Sequence, residues 1–196
     1  MNKSLKLVVV LTLTALLSGL ILAVLNTYTA PRIELNENKT LLEAIEYVIP
    51  GQKTCDVKVI KDVTFYVGKD DKGQVIGVAF VAEGDGFQSR LRILVGMDPE
   101  MTKIVQMKIL SQAETPGLGT KIENDPTNKT DAFWFLKQFV DLPVVNPISV
   151  VKGQAADKSK SQIQAITGAT ISSRAVVDIV NAAIEKNRAL YLEKVK

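Results

Sequence analysis

Residues 166–173 read ITGATISS and lead straight into RAVVDIVNAAIEKN, whose apolar residues recur at helical spacing. One Ser or Thr is enough to cap a helix, yet Thr167, Thr170, Ser172 and Ser173 all crowd this entrance. The spacing places Thr170 to Ser173 in the first turn, where unpaired backbone N–H groups and the helix dipole favour an anion. Gly168 and Ala169 carry almost no side chain, which leaves room for a bulky phosphate against the backbone. Arg174 points the same way: a cation near a helix N-terminus costs roughly 0.3 kcal/mol or more unless an anion offsets it. A Ser/Thr-rich cap without a ligand has the same spacing, so both readings stay open at this point. A second loop, ETPGLGT, spans Glu114–Thr120. Pro116-Gly117 suits the centre of a type II turn, because Pro fixes φ and Gly accepts a positive φ. Thr115 and Gly119 are small enough to let backbone amides approach a planar ligand.

What the chain lacks narrows the chemistry further. It contains no histidine, which removes the commonest general base, the usual catalytic triads and most zinc sites. Its one cysteine, Cys55, excludes an intrachain disulfide; with no second ligand it reads as structural rather than as a cluster ligand. Charged residues make up 23%, the net charge is +3, and no basic block occurs, so nucleic acid is excluded as a partner. No catalytic or metal-ligating residue is assigned. Any chemistry must be borrowed from a cofactor.

The elements that would position these loops follow from periodicity and punctuation. Leu7–Leu25 carries no charge and, at about 1.5 Å per residue, spans about 28 Å, close to a bilayer's hydrocarbon thickness. Lys3 and Lys6 precede it, so the positive-inside rule puts the N-terminus in the cytoplasm and the remainder outside. A cleaved signal peptide would have a shorter apolar run and a better small-x-small site. The chain thus divides into an anchor, 1–29, and one extracytoplasmic α+β domain, 30–196. Within that domain, residues 36–49 predict a helix with Leu41, Leu42, Ile45, Val48 and Ile49 on one face, ended by Pro50-Gly51. Strands are expected at 63–67, 74–82, 90–97, 103–110 and 148–153, the first two pairs as hairpins. Residues 83–89, EGDGFQS, hold a G-x-G without the context of a dinucleotide fingerprint and read as a turn. DAFWFLKQFV, 131–140, predicts a helix with core aromatics, and 154–162 a loop. The last helix is expected from Ile171 to Leu192, burying Val176, Ile179, Val180, Ala183 and Ile184.

TGAT before a helix, together with the upstream ETPGLG, resembles the FMN-binding domain family that includes RnfG of Rnf complexes and its relative NqrC. The resemblance covers the anchor, the strand-rich middle, both motifs and the last helix; the chain's length is nearer to the Rnf member. It implies a covalent FMN, esterified through its phosphate to Thr170 by a flavin transferase. It further implies Gly168 and Ala169 as phosphate clearance, and Thr167 and Ser172 as hydrogen-bonding neighbours. Glu114, Thr115, Gly117, Leu118 and Gly119 become a wall beside the flavin, with Leu118 as its apolar contact. One departure from the family pattern is Gln164, where the transferase usually meets an aspartate. The implied role is electron relay in a ferredoxin–NAD oxidoreductase coupled to Na⁺ or H⁺ transport. Its partners would be the A, B, C, D and E type subunits in a bacterial or archaeal plasma membrane. The alternatives are an NqrC-like component of a sodium-translocating quinone reductase, or an anchored scaffold without flavin.

Overall fold

The computed structural model describes residues 2–194, Glu34 by its backbone alone. It divides into two compact units at Leu41–Leu42. The first unit is helix. Helix α1, Lys3–Val48, continues through Pro31, whose missing N–H removes one intrahelical bond without ending the element. The sequence suggests two separate elements here; the structure has one. Leu7, Leu11, Leu16, Leu20 and Leu25 are all exposed along it. The helix contains an apolar stretch, buried on no side, that is long and apolar enough to cross a membrane.

The second unit is an α+β domain built on an antiparallel sheet in the order β1-β2-β3-β4-β5-β6. The strands are β1 Thr54–Ile60, β2 Val63–Lys69, β3 Val75–Asp85, β4 Arg90–Met97, β5 Lys103–Ser111 and β6 Leu142–Pro143. Alternation sends Phe65, Val78, Phe80, Ile93 and Val95 to one face, where they form the main core. Helix α3, Thr170–Lys194, covers that face. Its Val176, Ile179, Val180 and Ile184 are buried as expected, and Ala183 packs at the edge of the core. Ile179 sits so close to Gly84 of β3 that a Cβ there would lie 2.5 Å from it. Further along, Tyr191 tilts against Phe65 with ring centroids 5.7 Å apart.

The opposite face is closed by the end of α1. Ala44, Ile45, Val48 and Ile49 are buried. The Val48 carbonyl would lie only 2.3 Å from a Cβ on Gly96, so the helix end packs directly on the sheet backbone. Leu42, expected on this face, is instead 69% exposed. The predicted helix at 131–140 shrinks to α2, Trp134–Lys137. Its aromatics divide: Phe135 and Phe139 are core, while Phe133 stays exposed. A parallel pair, β7 Ser149–Val151 and β8 Gln162–Gln164, completes the domain. Cys55 lies exposed on β1, so it is not the core residue a structural role would suggest.

Candidate functional site

Strand β8 delivers the chain to a tight turn at the start of α3. The Ala169 N–H donates to the Ile166 carbonyl at 3.0 Å, and Gly168 has φ +85°, the pattern of a type II turn. The Ala169 carbonyl then accepts the first helical bond, from Ser173 N–H at 2.9 Å. Ala169 is therefore the N-cap, and the N–H groups of Thr170, Ile171 and Ser172 find no acceptor among the described residues.

The four hydroxyls divide into two pairs. Ser173 is fully buried; its Oγ accepts from Ile166 N–H at 3.0 Å and donates to the Ala169 carbonyl at 2.9 Å. Ser172 Oγ donates to Glu114 Oε2 at 2.6 Å. Both hold the entrance in shape, and Ser172 still lines the cleft while its hydroxyl donates to Glu114. Thr167 and Thr170 have no hydroxyl partner among the described residues, and both face a cleft of about 370 Å³.

Glu114 joins the segments around this cleft. It is 3% exposed. Its Oε1 accepts from Gln88 N–H at 2.9 Å and Ser89 N–H at 3.0 Å, while Oε2 holds Ser172. Burial pushes the carboxyl pKa up, but the hydroxyl of Ser172 and the backbone N–H groups of residues 87–89 outweigh it and hold it below the usual value. Glu114 is thus a latch behind the wall and does not itself line the cleft. Gly119, which lines the cleft, also makes room for this carboxylate: a Cβ there would lie 2.7 Å from Glu114 Oε2. Gly86 does the same on the other side, at 2.6 Å from Oε1.

The Pro116-Gly117 turn forms as its residues dictate. Leu118 N–H donates to the Thr115 carbonyl at 3.2 Å, with Gly117 at φ +73°. Thr115, Leu118 and Gly119 line the cleft, and Gly117 lies in the turn between them, outside the lining. Leu118 lies over the other turn, its Cδ2 3.5 Å from where a Gly168 Cβ would stand. Phe87, Lys152 and Ile171 also line the cleft, and sequence reasoning assigned a role to none of them. Phe87 sits in the segment read only as a turn, and Lys152 directly follows β7; an exposed aromatic between two turn-forming stretches was the available signal. Arg174 is exposed one helical turn beyond Thr170 and has no ion-pair partner among the described residues. Among the described residues, Lys152 is the only ionisable side chain on the cleft wall.

The arrangement offers free N–H donors, free hydroxyls at the helix start, a cation, and an apolar wall of Phe87, Leu118 and Ile171. Small residues at 168 and 169 leave the approach open. This suits a phosphorylated ligand with a planar apolar end. Comparison with known proteins agrees. The chain is 29% identical over 188 residues to the G subunit of the ion-translocating oxidoreductase complex of Methanosarcina acetivorans, covering 92% of each. It is also 29% identical to the G subunit of the proton-translocating ferredoxin:NAD(+) oxidoreductase complex of Clostridium ljungdahlii, covering 90% of this chain and 87% of that one. The crystal structure of Shewanella oneidensis NqrC shares the fold with a TM-score of 0.55 at 19% identity, over 70% of this chain and 66% of that one. Residues 86–185, over half of the chain, match the FMN-binding domain and include every wall of the cleft, so this protein belongs to the FMN-binding domain family.

Proposed function

We propose that this chain is the G subunit of an Rnf-type, ion-translocating ferredoxin–NAD oxidoreductase and carries FMN bonded through its phosphate to Thr170. The observation that carries the reading is the Thr170 hydroxyl, unbonded in the cleft beside three unpaired helix N–H groups. The names borne by the relatives supply the complex.

The residues present fit FMN. The N–H groups of Thr170, Ile171 and Ser172 would receive phosphate oxygens, and the helix dipole adds to their pull. Thr167 Oγ1 and the Lys152 ammonium are within the same wall and would balance the remaining charge. Gly168 and Ala169 leave the space that a larger side chain would take. Leu118 would cover an apolar face. When bound, FMN accepts and donates electrons through its ring system, and the protein contributes position and field. A bond at the phosphate end leaves that ring chemically unaltered.

The family resemblance implies a separate flavin transferase for this attachment. Thr170 needs a base to release its hydroxyl proton, yet the described lining holds no carboxylate, and Glu114 is committed to Ser172. The flavin transferase that the resemblance implies would supply that base. That enzyme would meet Gln164, whose backbone is clamped by Gln138 at 2.7 and 3.1 Å while its side chain has no partner among the described residues. Residues 7–25 would anchor the subunit with its N-terminus in the cytoplasm and the flavin domain outside, following Lys3 and Lys6.

Mass spectrometry of the denatured chain tests the attachment. The peptide containing Thr170 should carry one FMN moiety, and Thr170→Ala should remove it while Thr167→Ala retains it. Flavin retained in Thr170→Ala, or found on Thr167, would refute the assignment.

A further inference from the structure

We propose that Phe87 is the stacking surface for the isoalloxazine ring, a role that rests on the cleft being a flavin site. A lone exposed phenylalanine is unremarkable on a protein surface. What sets Phe87 apart is the rigidity beneath an exposed ring. It is 61% exposed, yet the turn that carries it is fixed from three directions. Gly86 N–H closes the turn onto the Ser89 carbonyl at 2.7 Å. Glu114 takes the N–H groups of the next two residues, Gln88 and Ser89. Thr115 Oγ1 donates to Gln88 Oε1 at 2.7 Å. Through Glu114 the same turn is bound to Ser172, in the first turn of α3.

The backbone that carries Phe87 is therefore tied to the helix start that bears Thr170, across a long stretch of chain. Phe87 makes no ring pair among the described residues, and it lines the cleft together with Leu118 and Thr170. With its backbone already fixed, an aromatic side chain has only its two χ angles to order when it stacks on a flat π-system. Leu118, 49% exposed, offers the second apolar surface. Because the bond at Thr170 fixes occupancy, stacking would change the surroundings of the ring rather than the amount of flavin.

The test uses the full chain in detergent, isolated with its flavin. Phe87→Trp, and the more conservative Phe87→Tyr, place an electron-rich ring against the flavin, and its emission should fall several-fold. Phe133→Trp, at another exposed phenylalanine (52%) outside the cleft, should leave emission unchanged. Phe87→Ala should expose the ring, so quenching by iodide should steepen. Mass spectrometry of each variant confirms that Thr170 still carries FMN. Unchanged emission in both Phe87→Trp and Phe87→Tyr, with unchanged iodide access in Phe87→Ala, would overturn the role of Phe87 while leaving the flavin site standing. A parental chain without flavin would overturn both, and the mass alone distinguishes that case.

Discussion

Replacing Glu114 by alanine would leave two backbone N–H groups and the Ser172 hydroxyl without their acceptor. Each buried donor stranded in this way costs about 1–3 kcal/mol, so the loss should reach roughly 3 kcal/mol or more. Glu114→Gln separates the contributions. Its amide oxygen still serves Gln88 and Ser89, but its NH₂ faces Ser172, whose hydroxyl must turn and accept; the cost should be about 1 kcal/mol. Urea unfolding of the detergent-solubilised protein measures both. Equal losses in the two variants would mean that the carboxylate is not the fastener. Gly86 and Gly119 belong to the same device, since each leaves the space that Glu114 fills. The hydroxyl excess at the helix entrance is explained at this scale too. Ser172 and Ser173 hold the entrance in shape, and Thr167 and Thr170 are left for a ligand.

Between β5 and α2 the chain is organised by one side chain, Asp125. Its carboxylate accepts from Thr127 N–H and Oγ, from Trp134 Nε1 at 3.2 Å, and pairs with Lys121 at 3.4 Å. The Thr127 hydroxyl bond leads these in lowering its pKa to about 2, against the opposing effect of burial. An unfolded aspartate titrates near about 3.9. A depressed folded pKa means that the stabilisation is complete above the unfolded value and is lost as pH falls through the folded one. Thermal melting of the parent and Asp125→Asn should therefore differ by a constant amount above about pH 5, with the difference narrowing from there down to about pH 2. A difference that does not narrow between about pH 5 and about pH 2 would show that shape, not charge, matters at this position. This loop was opaque in the sequence for a physical reason. DAFWFLKQFV has helical spacing, but the Asn128 and Asp131 side chains cap their own turns and leave α2 only four residues. By contrast, β4 matches its predicted bounds, because RLRILVGM is a short apolar run, buried on both faces from Ile93 onward, between two punctuating turns. β1 escaped notice since an exposed edge strand carries no burial pattern, and β8 because three residues pair only with a distant parallel partner. The helix start at Thr170 was legible from local chemistry. The Glu114 latch and the Phe87 turn were not, because their bonds join residues 25 to 58 positions apart.

Across the whole molecule, Thr170→Ala distinguishes an electron relay from a scaffold. Thr170 is the first residue of α3, not its cap, and its hydroxyl makes no bond among the described residues. The substitution should therefore change stability by no more than about 0.5 kcal/mol, as expected for a surface site free of such features. The α3 stripe from Val176 to Ile184, the Glu114 latch and the apolar run Leu7–Leu25 are all untouched. Assembly with the other membrane subunits should survive, and the purified variant complex should contain this chain in parental amount. Lacking its flavin here, that complex should lose NADH formation from reduced ferredoxin. An assembled, flavin-free complex that still transfers electrons at the parental rate would assign the chain to a scaffold role. Supplying free FMN sharpens the test: without the proposed bond at residue 170, the ligand would be held only by helix N–H groups, Lys152 and an apolar wall. Activity should then return only in proportion to added FMN and vanish on washing, whereas the parental complex keeps its rate through the same wash.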